Sequence, residues 1–174
     1  LEIGPGVGAL TEGLLELKLP LQLLEFDRAL AKYWRERGVG VIEGDALQAD
    51  WAALSPKPQT VLVSNLPYQI STSLVVDLSL GPAHISSMIL MFQKEVAERL
   101  LAKTRSDEYG MLSVMTQSHW KVNRVLEAGP GDFWPAPKIA SQVVRFQRKA
   151  PPFPGHEKGY LSFLKGAFSQ PRKL

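Results

Sequence analysis

Short apolar runs and stretches of helical apolar spacing alternate along the first half of the chain. The apolar runs cover 1–4, 21–26, 39–44, 60–65 and 85–93, and helical spacing covers 9–17, 27–37 and 70–80, with a loop and short helix at 45–54. The last run, ISSMILMFQ, is almost wholly apolar, as strands buried on both faces of a parallel sheet are. The alternation therefore predicts an α/β fold with a mostly parallel sheet.

The second half of the chain contains two predicted strands that no helix separates. Its predicted elements are helices at 94–103 and 109–120, strands at 121–129 and 141–149, a linker at 151–155 and a final helix beginning at 158. β-Branched residues weaken the helical pattern at 109–120. Because only the proline-rich loop 130–140 joins the two strands, we expect an antiparallel hairpin that closes the sheet.

Composition narrows the class of protein. The chain has 174 residues, of which 45% are hydrophobic, enough for one domain of ordinary size. The absence of cysteine excludes disulfides, cysteine-ligated zinc and thiol catalysis, and the three scattered histidines show no metal-ligand spacing, so no metal site is predicted. No apolar run is long enough for a membrane span and no signal-type start is visible, which predicts a soluble, cytoplasmic protein.

Charge is distributed unevenly although the net charge is only +3. From residue 138 onward the sequence contains one acid, Glu157, and eight basic residues: Lys138, Arg145, Arg148, Lys149, Lys158, Lys165, Arg172 and Lys173. This segment is either a solvated face or a footprint for phosphate. If RNA is the partner, the phosphate contacts we expect are Lys138, Arg145, Arg148 and Arg172.

Three glycines separate the first predicted strand from the first predicted helix. Gly4, Gly6 and Gly8 lack side chains, so their backbone N–H groups can approach a nucleotide-like ligand. The GxGxG spacing leaves the ligand open between a dinucleotide and S-adenosylmethionine, and a tight turn without ligand is the alternative. A nicotinamide-dependent oxidoreductase is disfavoured because the third glycine is one residue early and no proton-donor constellation is visible.

Polar residues follow the next strands at the points where they end. Glu25 comes 21 residues after Gly4, close to the offset at which an acid reaches ribose hydroxyls. Asp27 is predicted to cap the next helix. Asp45 either accepts a hydrogen bond from an adenine amino group or caps a helix of its own. Asn65 opens the tetrad Asn-Leu-Pro-Tyr at the end of the fourth strand, and an ordinary proline turn is the alternative there.

Seven motifs in this order resemble the ribosomal RNA adenine dimethyltransferase family, in particular its small-subunit branch. They are LEIGPGVGALT, EFD, GDAL, SNLPYQIST, FQKEVAERL, YGMLSVMTQ and FWPAPKIASQVV, and the resemblance covers residues 1–174. It implies a Rossmann-like class I methyltransferase fold: a mostly parallel seven-stranded sheet with an antiparallel C-terminal hairpin. It also implies S-adenosylmethionine-dependent dimethylation of two adjacent adenosines in small-subunit (16S) rRNA, with a role in ribosome assembly. The alternatives are a large-subunit methyltransferase of the antibiotic-resistance type and a non-catalytic RNA-binding assembly factor.

The resemblance assigns roles to individual residues. The glycine turn would hold the methionine part of the cofactor, Glu25 its ribose and Asp45 its adenine. The remaining members of the implied cofactor site are Glu2, Phe26, Ala46 and Asn65. The Asn65 side-chain oxygen and the Leu66 carbonyl would accept the two hydrogens of the target amine, with Pro67 fixing the backbone between them and Tyr68. Tyr68 and Phe133 would stack on the flipped base, and the alternative for Phe133 is simple packing over the hairpin.

The same resemblance divides the chain. Residues 1–150 would form the methyltransferase domain, without an N-terminal segment that family members carry. Residues 151–174 would form a linker and the start of a truncated helical domain. The implied partners are small-subunit rRNA and the pre-ribosomal small subunit, with no membrane or metal, and the protein would be a monomer.

Overall fold

The computed structural model describes residues 1–54, 59–81 and 83–169, and in these ranges it contains seven strands and seven α-helices. The strands are β1 (Glu2–Ile3), β2 (Gln22–Glu25), β3 (Gly40–Glu43), β4 (Thr60–Asn65), β5 (Ile85–Gln93), β6 (Trp120–Ala128) and β7 (Ser141–Arg148). The helices are α1 (Thr11–Glu16), α2 (Arg28–Glu36), α3 (Trp51–Leu54), α4 (Tyr68–Leu80), α5 (Lys94–Leu101), α6 (Met111–His119) and α7 (Glu157–Phe168). A single 3₁₀ turn among these residues covers Pro130–Asp132.

All seven strands belong to one sheet, in the order β3-β2-β1-β4-β5-β7-β6. The strands β1 to β5 are parallel, whereas β7 is antiparallel to both β5 and β6. The predicted parallel sheet and its closing hairpin are therefore confirmed. Because β1 pairs with both β2 and β4, the strand order reverses there, and a crevice forms at the carboxyl ends of these strands.

The hydrophobic core is centred on β4, β5 and β7. Leu62, Met88, Leu90 and Phe146 are fully buried, in agreement with the apolar pattern of these strands. Removing such side chains from water supplies the main favourable term in folding. The rigid central strands fix the positions at which β1 and β4 end, and hence the geometry of the crevice.

The structure also settles several element boundaries. Residues 111–119 are helical despite their β-branched content, and α4 begins at Tyr68 rather than at residue 70. No helix follows Asp45 directly: its carboxylate accepts a hydrogen bond from the Leu47 N–H in a turn, which is not a helix cap. No helix in the described ranges is long and apolar enough to cross a membrane.

Candidate active site

The glycine turn after β1 has the backbone conformation that glycine favours. Gly4, Gly6 and Gly8 have φ angles of +62°, +56° and +108°. A Cβ built on Gly4 or Gly6 meets no atom within 4 Å, so the turn presents bare backbone to open space. The Gly4 N–H donates to the Leu24 carbonyl at 2.9 Å, which fixes the turn to the end of β2. The N–H groups of Gly6 and Gly8 also donate within the chain, to Glu25 and to the Pro5 carbonyl, so the turn offers a ligand open space rather than the free N–H donors that the sequence predicted.

Trp34 supports the turn from α2, a contact that sequence reasoning missed. Its side chain is fully buried, and its indole N–H donates to the Gly6 carbonyl at 2.9 Å. A Cβ on Gly8 would lie 2.8 Å from the indole ring, so glycine is required there for space as well as for φ. The only signal in the sequence is that Trp34 shares the inner face of α2 with Ala31.

Glu25, the predicted ribose ligand, is almost buried at the end of β2. One carboxylate oxygen accepts from the Asp27 N–H at 2.8 Å and the other from the Gly6 N–H at 3.4 Å. These bonds hold the carboxylate against the glycine turn. Asp27 caps α2 as predicted, since its side chain accepts from the N–H groups of Ala29 and Leu30.

A cavity of about 490 Å³ opens beside this acid, over the ends of β2 and β3. Its lining residues are Phe26, Asp27, Arg28, Glu43, Gly44 and Asp45. Phe26 is 75% exposed, so one face of its ring is available to a ligand, while Ala46 next to Asp45 is buried. An aromatic ring beside a carboxylate is suited to a flat heterocycle with an amino group.

Glu2 lies in β1 directly before the turn, and it is only 1% exposed. Burial raises the pKa of its carboxyl group above the ordinary value. Its Oε2 makes no hydrogen bond of ordinary geometry within the described residues, although the nearby Thr11 hydroxyl acts to lower the pKa. A buried carboxylate oxygen held so weakly would be stabilised further by a donor or a cation bound at the turn.

Contacts with the sheet and the core hold the tetrad at the end of β4. Ser64, directly before it, donates a hydrogen bond to the Ile3 carbonyl directly before Gly4, which ties the two parts of the site together. Leu66 is 2% exposed and anchors the backbone in the core. Pro67 has φ −55° and precedes α4, and the Tyr68 hydroxyl lies 2.9 Å from the hydroxyl of Ser141 on β7. Asn65 is exposed at the rim.

The proline-rich loop returns to this same rim. It enters β7 at Ser141, and its Ala140 carbonyl accepts from the Lys94 N–H at 2.9 Å. Phe133 is half-buried in the loop, whereas the next residue, Trp134, is 97% exposed. The loop therefore carries two aromatic residues and joins the sheet at Ser141, which contacts Tyr68 of the tetrad.

The four predicted phosphate contacts differ in their environments. Lys138 and Arg145 are exposed. The Arg148 guanidinium donates to the carbonyls of Leu78, Ser79 and Ile85 and stacks over a ring, 3.9 Å from the Trp120 centroid. Arg172 lies outside the described residues. No group of three or more histidine or acidic side chains in the described ranges is arranged to hold a metal ion.

Comparison with known proteins supplies the family. A model of the family described as ribosomal RNA adenine dimethylase matches residues 1–174. A protein of Bdellovibrio bacteriovorus named ribosomal RNA small subunit methyltransferase A is 53% identical over 173 residues, which cover 99% of this chain and 63% of that protein. The chain thus spans a little under two thirds of that relative's length.

Solved structures show the same relationship. A dimethyladenosine transferase from Plasmodium falciparum superposes with a TM-score of 0.85 at 32% identity, covering 99% of this chain and 63% of that one. The 23S rRNA methyltransferase ErmE superposes with a TM-score of 0.73 at 28% identity, covering 99% and 70%. These neighbours confirm the predicted class I methyltransferase fold, and the family match confirms the resemblance drawn from the motifs.

Proposed function

We propose, because the chain belongs to the ribosomal RNA adenine dimethylase family, that it dimethylates the N6 amines of two adjacent adenosines in small-subunit rRNA. S-adenosylmethionine is the methyl donor in this proposal. The observation that carries it is the Ser64 hydrogen bond to Ile3, because that bond sets the glycine turn and the tetrad side by side on one rim. In this proposal a nucleotide-like site and a base-binding site share one crevice.

The chemistry of the cradle fits S-adenosylmethionine. Gly4 and Gly6 leave open space for the methionine part, and Glu25 is held where a carboxylate can accept from ribose hydroxyls. The cavity lined by Phe26 and Asp45 suits the adenine, and we assign the buried Ala46, next to Asp45, to the same site. Glu2 offers a weakly held carboxylate oxygen to the positively charged end of the cofactor. When bound, the cofactor supplies an electrophilic methyl group.

The tetrad fits the target adenine. An adenine amine is a poor nucleophile because its lone pair is delocalised into the ring. The Asn65 side-chain oxygen and the Leu66 carbonyl would accept hydrogen bonds from its two N–H groups. These bonds would turn the lone pair towards the methyl group and stabilise the positive charge that develops on the amine in the transition state. Tyr68 would stack on the flipped base, with Phe133 on its other face. The released proton leaves to water.

Substrate contacts and domain organisation complete the proposal. We assign phosphate binding to Lys138 and Arg145, which are exposed, and leave Arg148 out because its guanidinium is bonded to backbone carbonyls.

We assign residues 1–150 to the catalytic domain and 151–174 to a linker and the start of a helical domain. In the described part of that segment, Tyr160 of α7 lies 6.0 Å from His119 of α6, centroid to centroid.

The test is transfer of tritiated methyl groups from S-adenosylmethionine to undermethylated small ribosomal subunits, run beside large-subunit RNA. Incorporation into small-subunit RNA at two adjacent adenosines is expected. Incorporation only into large-subunit RNA would instead support an activity like that of the 23S rRNA methyltransferase ErmE. RNA binding without any incorporation would support a non-catalytic assembly factor.

A further inference from the structure

Trp134 differs from every other tryptophan of the chain. It is 97% exposed, whereas Trp34, Trp51 and Trp120 are exposed by 0%, 9% and 1%. A tryptophan ring carries a large apolar area, and leaving it in water forgoes the stabilisation that burial would give. A tryptophan this exposed, on the loop that joins the sheet at Ser141, is therefore a candidate for contact with a partner.

The backbone around this ring is restricted. The Gly129 N–H donates to the Asp132 carboxylate at 2.7 Å, and the Asp132 N–H donates to the Gly129 carbonyl at 3.0 Å. Pro130, Pro135 and Pro137 restrict the backbone on both sides of the ring. A loop with a restricted backbone loses less conformational entropy when it binds a partner.

The location of the ring indicates the kind of partner. The loop joins β7 at Ser141, which is bonded to Tyr68 of the tetrad at 2.9 Å, and Trp134 directly follows Phe133. Lys138 on the same loop is exposed and carries a charge that attracts phosphate. An aromatic ring and a cation on one loop are the combination that binds unpaired nucleotides by stacking and charge.

We infer that Trp134 stacks on an unpaired base flanking the target adenosine and so positions the RNA strand. This inference rests on the proposed function, since it takes RNA as the substrate. Trp134 is a positioning residue here: it contacts the strand next to the reacting base and takes no part in the transfer of the methyl group.

Tryptophan fluorescence tests the inference directly, because Trp134 is the exposed one of the four. In the unsubstituted chain, iodide should quench Trp134, and a single-stranded oligoadenylate should protect it and quench its emission. A Trp134→Phe variant should lose both signals and keep most of its affinity for the oligonucleotide, since a phenyl ring still stacks. A Trp134→Ala variant should bind roughly 5- to 100-fold more weakly, the range expected for loss of one stacked base.

Leu19→Ala is the matched control, because Leu19 is 67% exposed but precedes the amino end of β2, on the side of the sheet opposite the rim. It should leave oligonucleotide affinity unchanged. Wild-type affinity and an unchanged KM for RNA in Trp134→Ala would overturn the inference, as would quenching by lipid vesicles or another protein but not by the oligonucleotide. Absence of methyl transfer in the unsubstituted chain would contradict the proposed function instead. The fluorescence result would still decide whether Trp134 binds the oligonucleotide, because it does not depend on methyl transfer.

Discussion

The indole N–H of Trp34 donates a hydrogen bond to the Gly6 carbonyl at 2.9 Å, across 28 residues of sequence. The same ring fills the space in which a side chain at Gly8 would lie. The glycine turn is thus held by two elements. The Glu25 carboxylate at the end of β2 accepts a hydrogen bond from the Gly6 N–H, and Trp34 of α2 donates one to the Gly6 carbonyl. Both polar groups of Gly6 are therefore fixed before any ligand binds.

Replacing Trp34 by Phe should weaken cofactor binding. The substitution leaves the half-buried Gly6 carbonyl without its donor, which costs at most about 1–3 kcal/mol, and part of this cost should appear as a change in the shape of the turn. We expect the calorimetric Kd for S-adenosylmethionine to rise about 3- to 10-fold. Trp120→Phe is the matched control, because it removes a comparable buried bond, from Trp120 to the Ser79 hydroxyl at 2.8 Å. Equal changes of Kd in both variants would contradict a specific role for Trp34.

Alanine substitutions at two glycines should separate stability from binding. At Gly8 a Cβ would lie 2.8 Å from the Trp34 ring at a φ of +108°, so overpacking and strain should together lower the free energy of unfolding by about 2–5 kcal/mol. At Gly6 no atom lies within 4 Å of a Cβ, so the loss should be near 1 kcal/mol. Its methyl group would enter the cradle, however, and reduce cofactor affinity. Urea unfolding and calorimetry measure the two effects; equal stability losses would show that the Trp34 contact does not matter.

The sequence predicted the features that depend on local pattern. Apolar periodicity predicted the sheet and its hairpin, and the residue type before α2 predicted the cap at Asp27. It did not predict the contacts of Trp34, Ser64 and Ser141, because these join residues 28, 61 and 73 positions apart. No periodicity specifies which side chains meet across a sheet once it has formed. The roles predicted for the site residues stay predictions.

Asn65→Ala should abolish most methyl transfer and retain RNA binding. Loss of one acceptor that acts on developing charge typically costs about 10²- to 10³-fold in kcat. Asn65 is exposed, so the substitution should change stability little. Single-turnover transfer and filter binding measure the two properties. Gln22→Ala is a control that should leave both properties unchanged, because Gln22 begins β2 and so lies at the end of the strands away from the rim. Undiminished transfer by Asn65→Ala would contradict the proposed mechanism.

His119 should make stability depend on pH. Burial lowers the pKa of its ring, and because the Met115 carbonyl can only accept a hydrogen bond, the ring proton lies on Nδ1. The unfolded chain therefore takes up a proton more readily than the folded one, and stability should fall as the pH drops from about 7 through the lowered pKa. His119→Gln should reduce this slope in urea unfolding. His156→Gln, at an exposed position, should keep it; an unchanged slope in His119→Gln would show that other groups control it.

Arg148 and Arg145 are three positions apart on β7 and should behave oppositely. Arg148→Ala leaves three carbonyls, on Leu78, Ser79 and Ile85, without their donor, so the free energy of unfolding should fall by about 2–4 kcal/mol. Lysine should restore little, because a single ammonium cannot reproduce the planar set of donors that also stacks on Trp120.

Arg145→Ala removes an exposed cation, so stability should change by less than about 0.5 kcal/mol. Its RNA affinity should fall and the slope of log affinity against log salt should decrease by about 1. Urea unfolding and salt-dependent RNA binding of both variants make the comparison. If Arg148→Ala instead reduced the salt slope at unchanged stability, the guanidinium would be a phosphate contact. Its bonds to the carbonyls would then be exchanged for RNA on binding.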